Sequence, residues 1–174
     1  MSVAGPRVVL MPAAGGRPEP LEQELDGRAR RWADELAPGG VVPVPGGIGQ
    51  AVAALFADGD APVVVIWPEL TRWRPDHATG ALDDLADDCA LSVGPMFDGG
   101  FYLVAFAGPV PALLELPDDA WHSRDPIGLA ADAAQRSGLA IGLLRTERGL
   151  RTSADVSALL ADPLVDDELR GLLS

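Results

Sequence analysis

The chain has 174 residues, the length of one domain of ordinary size. Its 13 basic residues, all of them Arg, face 26 acidic residues, which gives a formal net charge of -13. This charge argues against a protein that coats DNA, RNA or an anionic membrane, because each of those attracts positive charge. Hydrophobic residues make up 48% and charged residues 22%, a mixture typical of globular proteins, so we expect one folded domain across residues 1–174.

Cysteine and histidine are too scarce for two common kinds of site. The one Cys, Cys89, excludes a disulfide framework and a Cys-rich zinc site, and the two His, His77 and His122, argue against a multi-His metal site. The apolar stretch 61–67 is far shorter than the roughly 20 residues that cross a bilayer, and the first residues lack the pattern of a signal peptide. We therefore expect a cytoplasmic protein whose partners include neither a membrane nor a nucleic acid. The sequence does not indicate its oligomeric state.

Short apolar runs alternate along the chain with segments whose apolar residues recur three or four positions apart. The runs predict strands, and the periodic segments predict amphipathic helices. The predicted strands span 7–11, 41–44, 61–67, 89–93, 101–107 and 139–144. The predicted helices span 20–36, a segment that begins at 45–49 and continues to 56, and then 76–87, 125–138, 153–160 and 163–173.

The strand 61–67 is apolar without a break, which predicts that both of its faces are buried, as in a parallel sheet covered by helices. The alternation of strands and helices with short connections predicts an α/β fold, a three-layer α/β/α sandwich around a mostly parallel open sheet. In such sheets ligands bind beyond the carboxyl ends of the strands. The loops expected there are 12–16, 45–49, 67–71, 94–100 and 145–152.

One of these loops carries Gly46, Gly47 and Gly49 between a short strand and a helix. Their backbone N–H groups could bind a phosphate at the positive end of the helix. The alternative is a Pro-Gly turn before the helix, and the glycine spacing matches the dinucleotide fingerprint poorly.

Another loop carries Asp98, Gly99 and Gly100 directly before a strand that begins with aromatic residues. Asp98 could accept a hydrogen bond from a sugar hydroxyl or lie near a cation, and the glycines allow the backbone to approach a ligand closely. The alternative is an Asp-Gly turn that joins two antiparallel strands. Spacing alone favours this turn.

Two longer segments resemble the motifs of a known superfamily. Residues 63–71 read VVVIWPELT, and residues 94–103 read GPMFDGGFYL. They resemble the Asp-x-Pro-x-Leu and Gly-Pro-x-x-Asp-Gly-Gly-Tyr-Tyr-Leu motifs of the nucleotide-diphospho-sugar transferase superfamily, which has the GT-A fold. Within it, the uncharacterised bacterial glycosyltransferase-like branch called radical-SAM/selenodomain-associated is the most similar. The resemblance runs from about residue 46 to residue 160 and includes Trp121 with Ser123 and the segment 150–156.

This resemblance implies a GT-A-like fold and a glycosyltransferase-like or nucleotidyltransferase-like protein that binds a nucleotide or a nucleotide-sugar. Asp98 is then the expected catalytic or acceptor-side acid. His122 is a second catalytic candidate, as a general base near neutral pH, although one His without a visible partner is more often structural. The candidate nucleotide- or sugar-binding residues are Gly15, Arg17, Gly46, Gly47, Gly49, Glu69, Gly99, Gly100, Trp121 and Arg151. Trp121 could stack on a base or a sugar, although a Trp is more often partly buried core.

The chain departs from the superfamily where a metal is expected. An aspartate at the end of the central strand commonly helps to hold the divalent ion that neutralises the diphosphate. Here the strand runs into Trp67 and Pro68, which leaves Glu69 as the nearest carboxylate. Arg151 stands where the terminal motif has an acid, and the phosphate-contacting segment after the first strand is reduced to residues 13–18.

Two interpretations account for these departures. Arg17 and Arg151, with Arg145 and Arg148, could supply positive charge to a phosphate in place of a metal, because Arg binds phosphate in a bidentate manner. Mg²⁺ or Mn²⁺ stays open as a cofactor, although the expected aspartate ligand is absent. Alternatively, the chain is a catalytically inactive pseudoenzyme that binds a ligand or a protein partner. The arginines of the loop after the last strand could equally be a solvated group that balances an acidic surface.

Overall fold

The computed structural model describes residues 5–13, 16–38, 40–43, 47–122 and 125–173, without the side chains of Pro43, Asp118 and His122. Six strands in this part of the chain form one sheet: β1 (Arg7–Leu10), β2 (Val41–Pro43), β3 (Val63–Ile66), β4 (Leu91–Pro95), β5 (Phe101–Phe106) and β6 (Ile141–Leu143). The α-helices are α1 (Glu19–Leu36), α2 (Ile48–Ala57), α3 (Pro75–Ala86), α4 (Pro111–Leu114), α5 (Pro126–Arg136), α6 (Ser153–Ala161) and α7 (Asp167–Leu172). A short 3-10 helix spans Asp118–His122.

The strands are ordered β2-β1-β3-β5-β4-β6 across the sheet. β1 pairs in parallel with β2 and β3, and β4 pairs in parallel with β6. β5 is antiparallel to both of its neighbours: Val104 lies opposite Val65 of β3 on one side and opposite Val93 of β4 on the other. The mostly parallel open sheet is therefore as predicted. Of the six strands, all but β5 direct their carboxyl ends to the same edge.

Side chains along each central strand alternate between two apolar cores, one on each face of the sheet. Val8 and Val64 belong to the core that α1 and α3 cover, and Val9 and Val65 to the core that α2, α4 and α5 cover. All four valines are fully buried. A third apolar cluster joins α6 and α7 to the first half of α1 through leucines such as Leu25. Helices on both faces of the sheet give the predicted three-layer α/β/α sandwich.

The start of α6 is fixed by a reciprocal cap. The Thr152 hydroxyl accepts a hydrogen bond from the Asp155 N–H at 3.2 Å, and the Asp155 carboxylate accepts one from the Thr152 N–H at 2.8 Å. Such a pair satisfies N–H groups that the helix itself leaves without partners. The cap sets the position at which the chain leaves the carboxyl-end edge of the sheet and enters α6.

Most differences between the predicted and the observed elements concern their ends and the shortest helices. The strand predicted at 89–93 lies at Leu91–Pro95, and the one predicted at 139–144 is reduced to Ile141–Leu143. α4 and the 3-10 helix are not predicted, because four or five residues are too few to show a periodic pattern. In the described part of the chain, no helix combines the length and the apolar character that crossing a membrane requires.

Candidate functional site

The candidate site lies at the carboxyl-end edge of the sheet, where residues 145–152 cross the ends of β3 and β4. Met96 forms a parallel bridge with Glu147, and the Leu150 N–H donates to the Glu69 carbonyl at 2.8 Å. These backbone contacts hold the loop after β6 against the loops after β3 and β4. Three of the predicted loops therefore converge.

The turn between β4 and β5 presents Asp98 at this edge. The Met96 N–H donates to the Gly100 carbonyl at 2.7 Å, and the Gly99 N–H donates to the Met96 carbonyl at 3.0 Å. Gly99 has a φ of +93°, in the left-handed region that glycine adopts without strain. The Asp-Gly turn between antiparallel strands, which the spacing favours, is thus present. It accounts by itself for glycine at position 99.

Arg151 forms an ion pair with Asp98, with 3.3 Å between Nη1 and Oδ2. The exposed fractions of the two side chains are 23% and 20%. The guanidinium lies over Gly100, in the space that a Cβ at that position would occupy. The Asp98 carboxylate also accepts the Gly100 N–H, at 3.3 Å. Asp98, Gly100 and Arg151, three of the predicted site residues, therefore form one group.

A second ion pair joins Arg17 to Glu69, with 3.6 Å between Nη2 and Oε1. The Arg17 side chain is 10% exposed and that of Glu69 is 2% exposed. The backbone N–H of Arg17 donates to the Glu22 carboxylate of α1 at 3.2 Å. The Nη1 atom of Arg17 is buried and has no hydrogen-bond partner among the described residues. A buried donor without a partner is costly, which makes this atom a ready donor to an added acceptor.

Both arginines line one cavity of about 280 Å³, which we call the phosphate cavity. Its polar wall also contains Thr152 and Ser153, at the start of α6. The opposite wall is apolar and includes Leu21, from α1. Two guanidinium groups and two hydroxyls beside an apolar wall are suited to a phosphate group joined to a less polar moiety.

Asp155 holds the backbone of this wall in place. Its Oδ2 accepts the N–H groups of Arg151 and Thr152, at 3.2 and 2.8 Å, and its Oδ1 lies 3.4 Å from Nη1 of Arg148. Burial opposes ionisation of Asp155, but the hydrogen bonds from Thr152 and Arg151 and the charge of Arg148 outweigh it and lower the pKa of the carboxyl. Asp155 is therefore charged at neutral pH and orients the segment that carries Arg151.

The side chains at this edge do not fit the divalent ion that the fold commonly uses. When Pro68 and Leu70 are aligned with the Asp-x-Pro-x-Leu motif, the acidic position is taken by Ile66, which is apolar and fully buried. Glu69 and Asp98 are each bound to a guanidinium. Across the described residues, no three His, Cys, Asp or Glu side chains lie together in a way that could hold a metal ion. The described side chains of this edge thus do not by themselves assemble a group of three hard ligands for Mg²⁺ or Mn²⁺.

Other predicted site residues lie apart from this group. Gly49 is packed against α4, where an added Cβ would meet the Leu114 carbonyl, so close helix packing accounts for glycine there. Gly47 precedes α2 as its N-cap residue. Trp121 is 3% exposed and packs in the core, with its ring 6.2 Å from that of Phe101. The predictions on Gly15, Gly46 and the His122 side chain lie outside the described residues.

The structure contains a buried polar network beside the site that the sequence analysis does not predict. Glu147 accepts from Nη2 of Arg74, lies 3.2 Å from Nε of Arg145 and lies 3.4 Å from Nε2 of His77. Tyr102 donates its hydroxyl proton to the Arg145 carbonyl at 3.2 Å. Burial of His77 lowers its pKa, so the ring is neutral at neutral pH. The network fixes residues 145–147 on the sheet edge, and no local spacing signals it, because its members come from three separate parts of the chain.

Comparisons with known proteins give a family match and a structural neighbour, and the latter shows the fold. Residues 41–121 match the family described as an uncharacterized protein conserved in bacteria, DUF2064. The crystal structure of a protein from Desulfovibrio desulfuricans G20, provisionally assigned as a nucleotide-diphospho-sugar transferase, superposes with a TM-score of 0.63 and 19% sequence identity. That superposition covers 95% of this chain and 71% of the other. A comparison with the curated proteins finds no match. The chain therefore has the GT-A-like fold that its motifs imply.

Proposed function

We propose that this chain binds a nucleoside diphosphate or a nucleotide-sugar, and that Arg17 and Arg151 hold its phosphates in place of a divalent ion. One observation carries the proposal: two guanidinium groups, each held by a carboxylate, line one cavity beyond the carboxyl ends of the strands. This is where open α/β sheets bind their ligands. The neighbour from Desulfovibrio desulfuricans, with its provisional assignment as a nucleotide-diphospho-sugar transferase, supports the choice of ligand class.

The ion pairs leave enough donors for a phosphate. A guanidinium has five N–H donors, and each pair engages one terminal nitrogen: Nη2 of Arg17 and Nη1 of Arg151. The carboxylates of Glu69 and Asp98 therefore orient the guanidinium groups without using them up. Because Arg stays protonated throughout the physiological pH range, this arrangement neutralises phosphate charge without a metal.

For the transfer reaction, we propose Asp98 as the base on the acceptor side. The acceptor hydroxyl would give its proton to the Asp98 carboxylate while its oxygen bonds to the anomeric carbon of the sugar. The bond from that carbon to the diphosphate breaks, and the nucleoside diphosphate leaves with its charge held by Arg17 and Arg151. Asp98 is suited to this role because its carboxylate is 20% exposed at the tip of a turn and is paired with Arg151, which lines the phosphate cavity.

A specific observation favours a second candidate, a domain that binds the nucleotide without transferring the sugar. Asp98 and Glu69 are both engaged with arginines, and Ile66 replaces the acid that the motif places at the end of β3. A carboxylate that is engaged with a guanidinium has fewer lone pairs available to an acceptor hydroxyl. The chain would then bind a nucleotide-sugar and, in the bound state, interact with a protein partner.

A thermal-shift screen tests binding. Nucleoside diphosphates, triphosphates and nucleotide-sugars are added at saturating concentration, once with EDTA and once with Mg²⁺ or Mn²⁺. A ligand at 100 times its dissociation constant stabilises by about 2.7 kcal/mol, which raises the Tm of a domain of this size by about 5–10 °C. We expect such a shift in EDTA for at least one nucleoside diphosphate. A shift that appears only with the metal would contradict the role of the arginines.

The variant Asp98→Asn separates the two candidates. The amide oxygen can replace Oδ2, which contacts Arg151, while the amide NH2 takes the place of Oδ1, which accepts the Gly100 N–H at 3.3 Å, and the side chain no longer takes up a proton. For an enzyme, we expect release of nucleoside diphosphate from the bound nucleotide-sugar to fall at least about 100-fold, with nucleotide affinity within about threefold of the wild type. A wild-type protein that binds the nucleotide-sugar but releases no product would support the second candidate.

A further inference from the structure

We infer that the chain has a second binding site, for a small molecule with an anionic head, a phosphate or a carboxylate, and an apolar tail. The site is a cleft of about 490 Å³ whose lining has no residue in common with that of the phosphate cavity. We call it the arginine cleft. It is bounded by the loop after β3, the start of the segment 145–152 and the connection between α6 and α7.

Positive charge is concentrated in this cleft. Four arginines line it: Arg72, Arg74, Arg145 and Arg148. The whole chain has 13 arginines, no other basic residue and a net charge of -13, so four guanidinium groups around one depression are a local exception to an acidic molecule. An anion that enters this cleft meets guanidinium donors, although the molecule as a whole carries negative charge.

The three acidic side chains of the lining are already engaged. Glu147 is bound to Arg74 and Arg145, in the network beside the candidate site. Asp162 accepts the N–H of Leu164 at 2.9 Å. Asp166 forms an ion pair with Arg28 of α1, at 2.7 Å, and caps α7. Each carboxylate is thus held by a donor of the protein and does not compete for a ligand in the middle of the cleft.

Two of the four arginines are the least engaged by other groups of the protein. Arg72 is exposed and makes no hydrogen bond or ion pair with any other described residue. The Arg145 side chain is 70% exposed, and within the described ranges only its Nε is engaged, by Glu147. Arg74 and Arg148 are committed to Glu147 and Asp155. Arg72 and Arg145 are therefore the residues that we assign to the anionic head.

The floor and the rim of the cleft supply an apolar contact. Leu70, Leu159 and Leu169 form buried parts of the lining. Leu164 lies at the rim and is 75% exposed, and Val165 follows it. A leucine so exposed beside an arginine-lined depression offers the area that a short alkyl or prenyl chain would cover. The combination selects an amphiphilic anion over a bare ion.

The two cavities use different guanidinium groups. The phosphate cavity uses Arg17 and Arg151, and the arginine cleft uses Arg72 and Arg145. Binding in the cleft does not depend on the proposed function.

The test is isothermal titration with hexyl phosphate, inorganic phosphate and hexanol as probes, in EDTA and at low salt. We expect hexyl phosphate to bind at least about tenfold more tightly than inorganic phosphate, since covering about two methylene groups is enough for that factor. Arg72→Ala and Arg145→Ala should each weaken hexyl phosphate by about five- to tenfold, and Leu164→Asp by more. Arg136→Ala, on α5 at the other face of the sheet, is the matched control and should leave the affinity unchanged.

Three results would overturn the inference: no binding of hexyl phosphate, equal affinity for hexyl and inorganic phosphate, or wild-type affinity in both arginine variants. The two proposals fail separately. Nucleoside diphosphate binding should be unchanged in Arg72→Ala, and hexyl phosphate binding should be unchanged in Arg151→Ala. Loss of hexyl phosphate binding in Arg151→Ala would assign the probe to the phosphate cavity and contradict a second site.

Discussion

At the scale of single residues, Gly100 decides whether Arg151 reaches Asp98. A Cβ at this position would collide with the Arg151 guanidinium and come within 3.1 Å of the Met96 methyl group. The φ of Gly100 lies outside the left-handed region, so the backbone itself does not require glycine there. The missing side chain therefore serves the ion pair and not the turn, in contrast to Gly99, which has a φ of +93°.

This argument predicts the effect of Gly100→Ala. The end of the Arg151 side chain is flexible, so the guanidinium should move away at little cost in folding, within about 1 kcal/mol of unfolding free energy. Nucleoside diphosphate affinity should fall about tenfold, because the cation leaves its position. Gly108→Ala is the control, since open space surrounds its added Cβ. Urea unfolding and titration calorimetry give the two quantities, and an unchanged affinity in a folded Gly100→Ala protein would refute the assignment.

At the same scale, the sequence identifies single site residues better than the contacts between them. The motif around Asp98 is local, and its acid and glycines lie where the turn needs them. The partners of these residues are distant in the chain: Arg151 follows β6, and His77 reaches Glu147 across a separation of 70 residues. Burial of Trp121 in the core follows the general tendency of Trp to be mostly buried. Gly49 likewise has a structural role, because it allows close helix packing.

At the scale of elements, Arg28 joins α7 to α1. Its two terminal nitrogens lie 2.7 and 3.1 Å from the two carboxylate oxygens of Asp166, in a bidentate pair. Asp166 also caps α7 by accepting the Leu169 N–H at 2.9 Å. The hydrogen bond from Arg28, which outweighs burial, lowers the pKa of Asp166 from 3.8 to about 2. The same contacts raise the pKa of Arg28. Because α7 borders the arginine cleft through Leu169, this pair also shapes one wall of that site.

This pKa shift predicts how the stability depends on pH. The folded-state pKa of Asp166, about 2, lies below the ordinary value of 3.8, so the unfolded chain takes up its proton first as the pH falls. The contribution of Asp166 is complete above pH 3.8 and is lost as the pH falls through about 2. Asp166→Asn should therefore lower the urea midpoint at pH 7 and approach the wild-type midpoint near pH 2. Asp167→Asn, at the exposed neighbouring position, is the control. An offset of the same size at every pH would contradict the pair.

At the scale of the whole molecule, the alternation of apolar runs and periodic segments predicts the architecture. The run at 61–67 becomes β3, which is buried at every position in the middle of the sheet. The antiparallel pairing of β5 with β4 follows from the Asp-Gly turn that joins them. In the described sheet β6 is an edge strand, and its Leu143 is 66% exposed.

The convergence of the site could be predicted only in part. The rule that carboxyl strand ends meet at one edge selects the loops after β3, β4 and β6, and the structure brings them together. It does not say which side chains face one another across that edge. The arginines lie beside their carboxylate partners because of the path that residues 145–152 take. A buried network determines this path, and its members are far apart in the sequence.

The central claim is that guanidinium groups replace a metal in the binding of a diphosphate, and one titration tests it most directly. The nucleoside diphosphate chosen by the thermal-shift screen is titrated in EDTA into the wild type, Arg151→Ala and the exposed control Arg30→Ala. Arg151 is preferred to Arg17, because removing Arg17 would leave Glu69 buried without its cation. We predict binding in EDTA, a loss of about tenfold or more in Arg151→Ala and no change in Arg30→Ala. Binding that requires added Mg²⁺, or an Arg151→Ala protein that binds as the wild type does, would contradict the account.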